Sequence, residues 1–255
     1  MQKQARNSTG TKGRYLYAIV ADSEQKSYSG LGLFGGRVYT IVDGSIAAVV
    51  SDVPNQKIRP ERRHFAAHQG VLRLVMAESD LLPMSFGIIS ESAKAVQRIL
   101  AANREAIRGQ LGRVSGKVEM GLKVSWDVPN IFEYMVTIHP DLMEARDRLK
   151  DPLNRPSHED KIEIGQLFEE LLDSDREQHT SLVEDILRPN CAEMVRNKCR
   201  DESMVMNLAC LVGRDSISEF ESGVLEAAGH FDDCFAFDFN GPWAPHNFVE
   251  LQIEV

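Results

Sequence analysis

His64 and His68 stand four residues apart, with Glu61 just ahead of them. On a helix that spacing puts two imidazoles on one face, where a metal ion would find two ligands. No third ligand lies nearby and the chain holds no HExxH, so one core-edge and one surface histidine is the competing reading. Asp22, Asp43 and Asp52 flank strand ends. Carboxylates there could serve a metal or an acid–base step, or simply close turns. Ser85 and Ser203 sit in no nucleophile-elbow sequence. Cys191 and Cys199 lie among Arg196, Lys198 and Arg200, cations that favour a thiolate. Together with Cys210 and Cys234 they form no CxxC pair, which argues against a zinc knuckle or a redox dithiol. Gly30, Gly32, Gly35 and Gly36 make no GxGxxG and read as loop glycines. These groupings predict no catalytic residue, no cofactor and no metal.

Two features point to binding instead. Glu159, Asp160, Glu163, Glu169, Glu170, Asp173, Asp175 and Glu177 coat one helix with acid. That surface is either solvated or used for assembly. Trp243 stands between Pro242 and Pro245. An aromatic so framed is either an exposed anchor or a plug in the core.

The elements that position these residues follow from hydrophobic period. Tyr15–Val20 reads as a central strand. Val38–Val42 and Ile46–Ser51, joined through Asp43-Gly44, read as a hairpin. Glu61–Glu78 reads as a helix whose buried face carries Phe65, His68, Leu72 and Val75. Leu81–Ile89 is a loop entering a short strand, and Glu91–Leu111 a second helix. Val118, Met120, Leu122, Val124 and Trp126 alternate along a half-buried strand. Two helices over one face of such a sheet predict a modified ferredoxin-like domain over 14–128, after a leader at 1–13. Residues 129–255 then form a second α+β domain of long helices and C-terminal strands. Pro140 divides its first helical run, 151–156 is a linker, and Ser157 caps a long helix to about Leu187. Met204–Val212 is a strand and Ser216–Ala228 a helix. Cys234–Phe239 is a strand ended by Asn240-Gly241-Pro242, and Phe248–Val255 is a last strand.

The chain has 255 residues, 43% hydrophobic, with a formal net charge of -9 and a pI near 5.3. This balance argues against nucleic acid as the main partner. No apolar run reaches the length of a membrane span. The four cysteines and the polar opening read as those of a reduced, cytoplasmic protein.

Four blocks carry a resemblance: Tyr15–Val20 (YLYAIV), Leu82–Gly87 (LPMSFG), Gly116–Trp126 (GKVEMGLKVSW) and Phe239–Val249 (FNGPWAPHNFV). Their order, together with the chain's length, resembles the GvpF/GvpL family of gas vesicle proteins, and the F members more than the L members. The resemblance implies a non-enzymatic accessory or minor structural protein of gas vesicle assembly. It implies as partners the hydrophobic shell subunit and other accessory proteins. It implies location at the vesicle shell, with a cytoplasmic stage during assembly, and a ferredoxin-like domain followed by an α+β domain. Trp243, Pro245, Phe248, Ser85 and Phe86 are the residues of its blocks that serve as candidate interaction or structural motif. Ser85 stands where the family often has arginine, and Ala244 and His246 depart from its GPWPPY pattern. If that arginine binds a partner, its role here is vacant or moved. The alternative function is a ferredoxin-like small-molecule regulator or enzyme, for which a concave polar pocket would be the sign.

Overall fold

A computed structural model describes residues 12–150 and 157–251. The expected linker 151–156 and most of the expected leader lie outside them. Two compact units emerge: Met1–Glu119 with Pro242–Val255, and Met120–Gly241.

The first unit is built on β1 (Lys12–Val20), where Tyr15 to Val20 are all at most 2% exposed. β1 pairs antiparallel with β4 (Ile46–Pro54) over nearly its whole length, with one bulge between Leu16 and Ala18. β3 (Arg37–Asp43) forms the expected hairpin with β4. Gly44 takes φ +63 in its turn, a conformation that glycine adopts without penalty. β2 (Ser27–Leu31) completes that edge, within the stretch read as loop. β5 (Leu81–Pro83) and β6 (Ile89–Ser90) pair with β1 on its other side. The order is β2-β3-β4-β1-β5, with β6 also on β1.

Ala47 to Val50 are consecutive and fully buried. Neighbouring side chains in a strand point to opposite faces, so this sheet is covered on both. The expectation of helices on one face is therefore corrected. α1 (Arg62–Glu78) covers the face of Tyr15 and Tyr17, while α2 (Ala93–Ala102) packs on β3 and β4 and α3 (Arg104–Val114) on β5. The single helix expected over Glu91–Leu111 is broken at Asn103. Its amide Nδ2 donates to the Ile99 carbonyl at 2.8 Å and so competes with the helical backbone.

The second unit takes most of β7 (Lys117–Trp126), then α4 (Ile131–Ile138), α5 (Pro140–Lys150) and α6 (His158–Leu187). β8 (Glu193–Arg196), β9 (Met204–Gly213), α7 (Ile217–Ala228) and β10 (Phe235–Trp243) follow. The sheet order is β10-β7-β9-β8. Pro140 splits the first helical run as expected. Ser157 caps α6 in a capping box, its hydroxyl accepting from the Asp160 amide while the Asp160 carboxylate accepts from Ser157 N–H.

β7 alternates as expected but belongs to this second sheet. The βαββαβ arrangement read for 14–128 is therefore not what the first sheet forms. The expected division into 14–128 and 129–255 also differs from the compact units. One boundary falls inside β7, after Glu119, and the chain from Pro242 onward belongs to the first unit. β10 runs through Asn240-Gly241-Pro242 rather than stopping there, which an edge strand permits because a proline needs no partner on its open side. The strand expected at the C-terminus is replaced over His246–Phe248 by one 3₁₀ turn, and 249–251 form no strand. Residues 252–255 lie outside the described ones.

Candidate functional site

The groups that first suggested chemistry are mostly engaged in structure. Both histidines are buried, not one of the two. His64 Nδ1 lies 2.9 Å from the Arg59 carbonyl oxygen, and its ring meets Phe34 edge-on at 5.0 Å. Asp22 pairs with Lys26, Asp43 with Arg104, and Asp52 with Arg14 and the Tyr39 hydroxyl. The Ser203 hydroxyl donates to Asp201 within a turn. Among the described residues no three His, Cys, Asp or Glu side chains approach closely enough to hold a metal ion.

His68 sits at the centre of a buried polar–aromatic cluster. Its Nδ1 is 2.9 Å from the Tyr15 hydroxyl, which also accepts from Gly87 N–H at 3.0 Å. Tyr17 accepts from Leu33 N–H and bonds Ser51, each at 2.8 Å. Burial first, and His246 nearby second, push the His68 pKa down to about 4. The unfolded chain binds this proton near pH 6.5, so it holds more protons than the native state between pH 6.5 and 4. Stability from this group is thus complete above pH 6.5 and declines as pH falls toward 4, by about 2–4 kcal/mol. Denaturant melts from pH 7 to 4 should show this loss, and His68→Gln should flatten it while lowering stability at pH 7. An unchanged pH slope in the variant would assign the titration elsewhere.

The two distant blocks, 82–87 and 239–249, converge on α1. In the first, Leu82 to Met84 are buried, Ser85 is exposed, and Phe86 stacks on Phe65 of α1 at 4.4 Å and 12°. Gly87 takes φ +97, which turns the chain beneath Tyr15. In the second, Pro245 and Phe248 are buried, Phe248 to 1% exposure. Trp243 is half-buried, with the Arg73 guanidinium 5.7 Å above its ring. The plug in the core is therefore Phe248, and Trp243 lies at the surface edge. Asn247 donates its backbone N–H and side-chain amide to the Glu119 carboxylate at 2.8 and 2.7 Å. Burial nevertheless leaves the Glu119 carboxyl above its usual pKa.

An open groove runs along α1 between Arg62 and Arg73, past Phe65, Ala66 and Gln69 of the same helix, with Glu119, Trp243 and His246 beside them. Phe65, read as a core position from its spacing, is 44% exposed. Sequence reasoning missed Arg62, Arg73, Glu119 and Asn247. The only signal for the arginines was their eleven-residue spacing on one helix.

Residues 13–250 match the family described as gas vesicle synthesis protein GvpL/GvpF. The chain is 27% identical to gas vesicle protein F of Nostoc sp., covering 94% of this chain and 99% of that one. It is 28% identical to gas vesicle protein F of Streptomyces sp., over 92% and 99%. The crystal structure of the gas vesicle protein GvpF from Anabaena sp. superposes with a TM-score of 0.83 at 27% identity, over 94% and 99% of the two chains.

Proposed function

The chain belongs to the GvpL/GvpF family of gas vesicle synthesis proteins, and from that premise we propose how it serves, as a GvpF-like accessory protein, in gas vesicle assembly. It binds the hydrophobic shell subunit or other accessory proteins through the α1 groove, without catalysis, and does so at the growing shell. The observation that carries this reading is the convergence of blocks 82–87 and 239–249 on one helix face. That face presents Phe65, Phe86 and Trp243, apolar enough to cover a partner that would aggregate uncovered. Ser85 is exposed beside Phe86 and leaves the stacked rings accessible. Pro245 and Phe248 follow the tryptophan and are buried. A groove this open, lined by aromatic rings and arginines, favours a protein partner over the small-molecule alternative, which calls for a concave pocket with convergent polar groups. On the same reading the ferredoxin-like label passes to the second unit, where β7, three helices, β8, β9, α7 and β10 follow a βαββαβ plan with extra helices in its first crossover. No helix among the described residues is long and apolar enough to cross a membrane.

Trp243→Ala separates anchor from scaffold. A half-exposed ring contributes little to folding, so stability should fall by only about 1–2 kcal/mol. Affinity for purified shell subunit should drop by about 2 kcal/mol, roughly thirtyfold in Kd. A titration and a melt on the same variant read both. Unchanged affinity would remove Trp243 from the interface.

A further inference from the structure

We propose that the α1 groove also receives the first half of α6 from a second copy of this chain. The formal charge is divided unevenly. The first unit carries 17 Lys and Arg against 12 Asp and Glu, and the second 12 against 26. A basic surface and an acidic one on the same molecule attract between copies.

The groove gives this attraction a register. Arg62 and Arg73 lie eleven residues apart on α1, three turns or about 16 Å. Neither has a carboxylate within ion-pair distance among the described residues. Between them Ala66 leaves room, and Phe65 offers an exposed ring. On α6, Phe168 and Leu172 face inward. Glu159, Ile162, Gln166 and Glu170 fall on the opposite side of the helix at 100° per residue, and all four are exposed. Ile162 is 46% exposed. Laid parallel, α6 sets Glu159 against Arg62, Ile162 against Phe65, Gln166 against Gln69 and Glu170 against Arg73, with one constant offset. A helix seated in a groove by such spaced anchors is a common recognition mode. Because the two surfaces differ, the contact is head-to-tail, and a pair of copies leaves one groove and one helix free for the next. The inference stands apart from the shell-subunit reading, and any other occupant of the groove would compete with the second copy.

Sedimentation velocity of the full chain tests it. At low ionic strength the apparent mass should rise with concentration, and salt should reverse this. Arg62→Glu with Arg73→Glu, and separately Glu159→Arg with Glu170→Arg, should each weaken self-association about tenfold or more without loss of the thermal transition. Mixing the two variants should restore association, because each then offers the surface that the other lacks. So should combining all four changes in one chain. A monomer at every concentration and salt, association indifferent to the reversals, or failure of both restorations would overturn the proposal.

Discussion

Phe248→Ala is expected to destabilise the first unit by about 3–5 kcal/mol, the range for a large aromatic removed from a closed core. Phe248 is 1% exposed and ranks among the largest fully buried side chains. It lies in the short turn that follows Trp243, Ala244 and Pro245. Loss of its ring leaves a cavity that neighbouring side chains fill only in part. The cost therefore exceeds the transfer free energy of the ring alone. Denaturant melts monitored by circular dichroism check this. A loss below about 1 kcal/mol would mean that the segment is a surface strap. The contrast with Trp243→Ala matters more than either number. Both belong to the same family-like block, yet one is expected to act on folding and the other on binding.

A fragment spanning residues 12–129 is expected to lack a cooperative thermal transition. It keeps β1 to β6 and α1 to α3 but lacks the chain from Pro242, which belongs to the same compact unit. Phe248 is then absent from the core, and Glu119 loses both hydrogen bonds from Asn247. A carboxyl that is 8% exposed pays a desolvation penalty once its donors are gone. β7 meanwhile loses β9 and β10, the strands on either side of it, and exposes its backbone donors and acceptors. Joining residues 242–255 through a flexible linker to a chain ending at Glu119 should restore the transition. A sharp melt from the 12–129 fragment would show that the first unit closes without its C-terminal segment.

The part of this protein that was legible in its residues is local. Asp43-Gly44 between two apolar strands set a hairpin because that pair adopts a twist-matched turn. Pro140 divided two helices, and Ser157 with Asp160 started a third, because these residues act on backbone groups within one turn. The alternation from Val118 to Trp126 marked a strand with one buried face. The four blocks pointed to the family that residues 13–250 match. Where each piece goes was decided by tertiary structure. The alternation of β7 reports a period and a face, but its backbone hydrogen bonds fit any partner strand, so nothing local assigns it to the second sheet. The same holds for the last segment: its apolar residues demanded cover, and only the fold gave them the first unit's core rather than a strand of their own. Phe65 keeps helical spacing with buried residues yet lies at the margin of their stripe, so it stacks on Phe86 in the open. The groove exists because residues from α1, the start of β7 and the C-terminal segment meet across distances in sequence that no period spans.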